Sequence, residues 1–144
     1  MKAILQKYNP KNILEIGTYC GYSSITMAFH SKAIIHAIDP NPKFVEIARQ
    51  MHKHTGLQDR IIIHQGTIQS EVNTLKKEGP FDLIFIDHLK QLYLPDFKFL
   101  ESEGLVRKGT VIVADNIIYP GSPDYLEHFK KNGFYDSTLY HSYV

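Results

Sequence analysis

Five short apolar runs limit the fold of this chain more than any other feature: Asn12 to Ile16, Ala33 to Ile38, Arg60 to His64, Phe81 to Ile86 and Thr110 to Ala114. Each is of strand length, rich in Ile, Val or Phe, and nearly continuous, where a strand with one wet face would alternate. Such runs predict strands covered on both faces, hence a parallel sheet with helices above and below. The segments between them fit those helices. Pro42 to His54 is the clearest, because proline suits a first helical turn and Phe44, Val45, Ile47, Ala48 and Met51 form an apolar stripe. Gly56 stands where that helix would stop. Tyr22 to Phe29, Gln69 to Lys77, Gln91 to Leu100 and Pro123 to Lys131 fill the other crossovers. The β-α-β-α order, without internal repeat, linker or low-complexity segment, predicts one doubly wound, mostly parallel α/β domain over residues 1–144.

Charge and cysteine usage narrow the partners. Sixteen Lys and Arg against fifteen Asp and Glu leave a formal charge of +1, which gives no electrostatic case for nucleic acid or an anionic membrane. The single cysteine, Cys20, rules out an internal disulfide framework and a Cys-based zinc site. No stretch reaches the roughly 20 apolar residues of a transmembrane helix. Met1 to Pro10 lacks the apolar centre of a signal peptide. The expectation is a cytoplasmic protein of open oligomeric state. Both ends are abrupt, and Tyr140 to Val144 alternates like a strand that has not yet turned, so a shortened chain is expected.

In a doubly wound sheet, ligands gather at the carboxyl ends of the strands, near the reversal of strand order. The chemistry-bearing residues fall there. Glu15, Gly17 and Gly21 close the first run, Asp39 the second, Gly66-Thr67-Ile68-Gln69 follow the third, Asp87-His88 the fourth and Asp115-Asn116 the fifth. Glycine lets the backbone turn sharply and approach a ligand closely. The spacing is not Gly-x-Gly-x-x-Gly, and Gly17 to Ser24 holds no Lys or Arg, which favours a ligand without a diphosphate. Asp39, 22 residues after Gly17, is placed to accept both hydroxyls of a ribose. Each residue taken singly has a plainer use: Gly17 and Gly21 as turn residues, Asp39 as a helix cap, Ser23 as a helix-start hydroxyl. Three features at the correct strand ends favour a nucleoside.

Asp87, Asp115 and Asn116 converge at one edge of the sheet if their strands are neighbours. Two carboxylates and an amide suit a hard cation such as Mg²⁺, which keeps open positions for water or substrate. Singly, a strand-end Asp is more often a cap. Lys90, three residues after Asp87, is a candidate general base beside a metal, or a solvated lysine. His36 and His64 fall inside strands and read as core or rim residues.

The runs Ile13 to Ser23, Phe85 to Lys90, Tyr93 to Asp96, Leu105 to Thr110 and above all Ala114 to Asp124 resemble the catechol O-methyltransferase family. The similarity extends from about Asn9 to the last residue. It implies a Rossmann-like fold of the class I methyltransferase type, S-adenosylmethionine as methyl donor, Mg²⁺, and a small catechol as substrate. On that resemblance Glu15, Gly17, Tyr19 and Ser23 line the amino-acid and sugar part of the cofactor pocket, and Asp39 holds the ribose. Gly66, Thr67, Ile68 and Gln69 border the adenine, and Asp87 and His88 also touch the cofactor. Asp87, Asp115 and Asn116 bind Mg²⁺, Lys90 is the base, and Lys90, Asn116 and Pro120 meet the substrate. Leu89 stands where the mammalian enzymes have a tryptophan. The family also has helices before the first strand, of which Met1 to Tyr8 is all that this chain would retain. Its glutamate for the second catechol hydroxyl would fall just past Val144, together with a final antiparallel strand.

The reading is methyl transfer to one hydroxyl of a Mg²⁺-chelated catechol. The alternatives are another vicinal-dihydroxy aromatic such as a caffeoyl ester, or a cofactor- and metal-binding module without efficient turnover. A nucleotide-dependent oxidoreductase is disfavoured by the missing glycine fingerprint.

Overall fold

The structure, a computed structural model, describes residues 1–140. The alternating run proposed over Tyr140 to Val144 falls, past its first residue, outside the described residues. Five parallel strands form one sheet in the order β3-β2-β1-β4-β5. They are β1 (Asn12–Ile16), β2 (Ile34–Asp39), β3 (Ile61–Gln65), β4 (Leu83–Ile86) and β5 (Val111–Ala114). Six helices flank them: α1 (Lys2–Tyr8), α2 (Tyr22–His30), α3 (Pro42–His54), α4 (Ile68–Glu78), α5 (Tyr93–Ser102) and α6 (Pro123–Lys131). Every strand and crossover expected from the apolar runs is present. The expected helix from Gln91 begins instead as a 3-10 turn over Lys90–Leu92, and α5 starts at Tyr93. Pro95 explains the start: it lacks an N–H and fits only the first turn. Among the described residues, no helix is long and apolar enough to cross a membrane.

The strands alternate between two cores. Leu14, Ile16, Ile38, Ile84 and Ile86 pack with Ile68 and Leu75 of α4, Tyr93, Phe97 and Leu100 of α5 and Tyr125 of α6. Ile13, Ile35, Ala37, Leu83 and Phe85 face the other way, against Leu5 of α1 and Met27 and Ala28 of α2. The expectation of strands covered on both faces holds for β1, β2 and β4. It fails at the sheet's edges, where Ile62 of β3 is exposed and all four residues of β5 are half-buried. An edge strand has a neighbour on one side only, and nothing in an Ile-Ile-Ile run reports that.

β1 pairs with both β2 and β4. The chain runs outward to β3 on one side and to β5 on the other, so the order reverses beside β1. The crevice at the carboxyl ends of β1 and β4 is the site the topology favours for a ligand.

Candidate active site

The β1 end is built by close backbone approach. Gly17 has φ +91°, and a Cβ there would lie 2.6 Å from the Asp87 carbonyl oxygen, so only glycine fits. Its N–H donates to Ile38 O at 2.9 Å, which ties the loop to β2. Glu15, the residue two before it, is fully buried on the α2 side, and among the described residues neither of its carboxyl oxygens has a hydrogen-bond partner. Burial raises its pKa to about 8, with the Asp87 and Asp39 carboxylates adding to the rise. The Thr18 and Ser24 hydroxyls lie near enough to offset part of this. Neither makes a well-formed bond to it: Ser24 donates to Gly21 O at 3.0 Å and Thr18 Oγ1 has no partner. A buried carboxyl without donors costs stability unless a ligand supplies them.

Asp39 ends β2 and is 7 % exposed. Its Oδ2 accepts the Tyr19 N–H at 3.1 Å and its Oδ1 accepts the Asn41 N–H at 2.9 Å. The cap of α3 is Asn41, whose side chain accepts from Lys43 N, so Asp39 is free of that duty. It braces the Gly17–Gly21 loop and keeps lone pairs to spare. Tyr19 holds φ +47°, is exposed, and meets Phe44 edge to face at 4.6 Å. Ser23 lies half-buried in the first turn of α2.

After β3, Gly66 donates to Asp39 O at 3.0 Å, and Thr67 with Ser70 forms the capping box of α4. Ile68 is buried in the core, so its backbone alone is left to meet a ligand. Gln69 is exposed in the same turn, and its Nε2 donates to Asp96 Oδ1 at 2.7 Å.

On the β4–β5 side, oxygen atoms converge on a cation. Lys90 Nζ donates to Asp87 Oδ1 at 3.0 Å and to Asn116 Oδ1 at 3.5 Å. It also contacts the Tyr93 hydroxyl and lies 4.6 Å from that ring's centroid. Asn116 holds φ +55°, a left-handed conformation that asparagine tolerates. Asp115 is exposed, and its Oδ1 accepts the Asn116 N–H at 2.7 Å. Pro120 lies exposed in the loop that follows. Among the described residues no group of three or more His, Cys, Asp or Glu side chains is arranged to hold a metal. The Asp87–Asp115–Asn116 set is smaller, two carboxylates and an amide, but its all-oxygen chemistry fits a Mg²⁺ that keeps several waters. The ammonium between Asp87 and Asn116 occupies the kind of place such a cation takes.

Three contributors escaped the sequence reading. Tyr93 is wholly buried, donates to Asp115 O at 3.0 Å, and joins Lys90 to the β5 end. Burial, then the Asp87 and Asp115 charges, push its phenol well above the ordinary range, so it stays a neutral donor. Asp96 lies under His88 and Gln69. Thr18 is buried beside Glu15. Tyr93 and Asp96 stand three apart at the start of a helix otherwise spent on core residues, and nothing in the pattern marks them as polar contacts.

Comparison with known proteins gives the family. The sequence model of the O-methyltransferase family matches residues 1–131. The chain is 41% identical over 149 residues to catechol O-methyltransferase of Mus musculus, covering 100% of this chain and 56% of that protein. It is 42% identical over 146 residues to catechol O-methyltransferase of Sus scrofa, covering 98% of this chain and 78% of that one. The chain thus spans little more than half the length of the mouse relative. Among solved structures, the O-methyltransferase of Bacillus cereus in complex with SAH superposes with TM-score 0.78 at 29% identity, over 92% of this chain and 67% of that one. An SAH-bound methyltransferase of Podospora anserina gives TM-score 0.75 at 31% identity, over 83% of this chain and 53% of that one. The fold and these relatives agree: the chain belongs to the O-methyltransferase family, with catechol O-methyltransferases among its relatives.

Proposed function

We propose that this chain carries the cofactor and metal half of a Mg²⁺- and S-adenosylmethionine-dependent O-methyltransferase acting on a catechol. The observation that carries the reading is the meeting of two features across the β1–β4 crevice. One is a buried, donor-starved Glu15 beside the braced Asp39 loop; the other is a set of oxygens from Asp87 and Asn116 already gathered on a cation.

In this reading Glu15, Gly17, Tyr19, Ser23 and Asp39 hold the amino-acid and ribose parts of the cofactor. Gly66, Thr67, Ile68, Gln69 and His88 border its base. Asp87, Asp115 and Asn116 hold Mg²⁺, which when bound lowers the cost of ionising a chelated catechol oxygen. Lys90 lies beside these oxygens, so its Nζ, in the neutral amine form, would be the base nearest a hydroxyl brought there and would take its proton. Tyr93 keeps Lys90 and the Asp115 backbone in register through its hydroxyl. Asn116 and Pro120 border the acceptor. The carboxyl of Glu15 is positioned by burial instead of by hydrogen bonds, so it binds only a ligand that brings donors into the crevice.

Calorimetric titration with S-adenosylmethionine, and then with catechol with and without Mg²⁺, tests the proposal. Saturable cofactor binding and Mg²⁺-dependent catechol binding are expected. Asp39→Ala should weaken the cofactor by about 1.5–3 kcal/mol, the scale of hydrogen bonds to a charged group. Absence of cofactor binding, or unchanged affinity in that variant, overturns the assignment.

A further inference from the structure

His36 of β2 and His64 of β3 belong to none of the groups assigned to the crevice. Both face the side of the sheet that α4 covers. His36 is 2% exposed, and its Nδ1 lies 3.1 Å from Nε2 of His64. The ring planes are 18° from parallel and the centroids 5.4 Å apart, farther than the nitrogens, so the rings meet at their edges and not face to face. The contact runs diagonally across the ladder, since His36 pairs with Ile62 and His64 with Ile38. β3 is an edge strand with β2 as its one neighbour in the sheet, so this contact bolts the edge to the interior.

The surroundings fix which nitrogen carries the proton. Glu78 of α4 places Oε2 3.8 Å from His36 Nε2, and a carboxylate there favours a proton on that nitrogen. His36 Nδ1 is then the acceptor and His64 Nε2 the donor. Glu71, also on α4, is the second charge that acts on His64. β1 brings Leu14 beside His36, and Phe81 meets the His36 ring at 5.7 Å, so those sides are apolar.

The number of protons sets what the contact survives. A first added proton has the remaining nitrogen of the half-buried His64, Nδ1, to occupy and leaves the bond between the rings in place. A second must take the accepting nitrogen of His36. Both facing nitrogens then carry hydrogen, like charges meet inside the fold, and the contact is lost. We infer that His36 and His64 form an acid-sensitive latch, closed while the pair holds at most one extra proton, that ties β3 and the following turn, Gly66 to Gln69, to the body of the sheet. Burial holds both rings below the ordinary histidine value of 6.5; the charge of His64 adds to this at His36, while Glu78 opposes it at both rings and Glu71 at His64. With the folded values lowered, the unfolded chain takes protons first as pH falls. The latch's contribution to stability is thus complete above about pH 6.5 and falls away as pH drops towards the lowered folded values. Gly66 to Gln69 border the proposed base pocket, so opening slackens that border as well. The latch itself does not depend on the identity of the ligand.

Amide hydrogen exchange of the ligand-free protein, corrected for the intrinsic effect of pH, tests the latch. Protection of the β3 amides should fall by about tenfold from about pH 7.5 to about pH 5, the equivalent of one unit of lowered pKa, while that of β1 and β4 changes little. His36→Asn combined with His64→Gln keeps an amide atom where each facing nitrogen stands and removes both titrations. In that double variant β3 protection should be indifferent to pH over the same range. Glu15 titrates alike in both chains and cancels from the comparison. No fall in the parent, or a fall of equal size in the variant, overturns the inference. Ring-nitrogen chemical shifts of the parent give a second measurement that needs no variant. The two rings should titrate in linked steps, the last of them below 6.5. Two independent titrations at the ordinary value overturn the inference even where the double variant does not fold.

Discussion

The two sides of the crevice are finished in different ways. On the β1–β2 side the parts are buried and held by backbone: Gly17 against Asp87, Asp39 bonded to two loop amides, Glu15 sealed without a donor. On the β4–β5 side the parts are side chains that satisfy one another, with Lys90 standing among the part-exposed Asp87, the exposed Asn116 and the buried Tyr93. The first side stores an unmet requirement in the core. The second meets its requirement internally and, on the proposed reading, would release it to a stronger cation. Substitutions on the first side should therefore act on folding and binding together, and those on the second on binding almost alone.

The largest effect is expected at Gly17. Alanine there would combine a left-handed backbone with a Cβ 2.6 Å from the Asp87 carbonyl oxygen, and that backbone atom cannot swing aside as a side chain would. Gly17→Ala should cost about 3 kcal/mol or more in urea unfolding, and the two strand ends should part enough to abolish cofactor binding. A variant as stable as its parent would mean that the β1 and β4 ends are not held in contact in solution.

Glu15 comes next, and its effect should reverse sign between stability and binding. Burial raises its pKa from the ordinary 4.5 to about 8 in the folded chain. Between those values the unfolded chain ionises this group while the folded chain keeps it protonated. Its contribution to stability is thus fully present below about pH 4.5 and is lost as pH rises towards 8. Glu15→Gln removes the titration. It should stabilise the protein by about 2 kcal/mol near pH 8, with the gain shrinking to nothing in acid, while cofactor affinity falls. Melting curves across that pH range check the first part. A gain independent of pH would show that the carboxyl is not sealed.

The contrast also marks what sequence reading reaches. The strand ends were legible because continuous apolar runs stop abruptly at Gly, Asp or Glu, and a parallel sheet lines those stops up on one edge. The gathering of Asp87, Asp115 and Asn116 at one edge is readable on that basis, and two of the three, Asp87 and Asn116, meet the Lys90 ammonium. The exposure of Ile62 was not legible, since a run of isoleucines reads alike at the edge and the centre of a sheet. Nor were Tyr93 and Asp96. Both fill core-facing positions of α5, and their polar ends act across distances in sequence, to Asp115 and to Gln69, that only the fold closes. The donor-starved state of Glu15 depends on Ser24 spending its hydroxyl on Gly21, a choice of partner that no motif encodes.

The smallest change in stability should come with one of the sharpest losses of binding. Asp115 is exposed, and among the described residues the one hydrogen bond its side chain makes is from the amide of its own neighbour, Asn116. Removing an exposed carboxylate of this kind alters folding free energy by no more than about 0.5 kcal/mol. The Lys90–Asp87 pair, with side chains 19% and 31% exposed, would remain and is itself of small worth to the fold. Yet Asp115 supplies one of the two carboxylates proposed for Mg²⁺. With it gone, Asp87 and Asn116 would face the competing ammonium of Lys90 with a divalent ion held by one charge fewer. Asp115→Ala should therefore melt with its parent, bind S-adenosylmethionine almost as tightly, and lose Mg²⁺-dependent catechol binding. If catechol and metal bind unchanged, the cation gathered by Asp87 and Asn116 is Lys90 alone, and the outer side of the crevice is an ion pair and not a metal site.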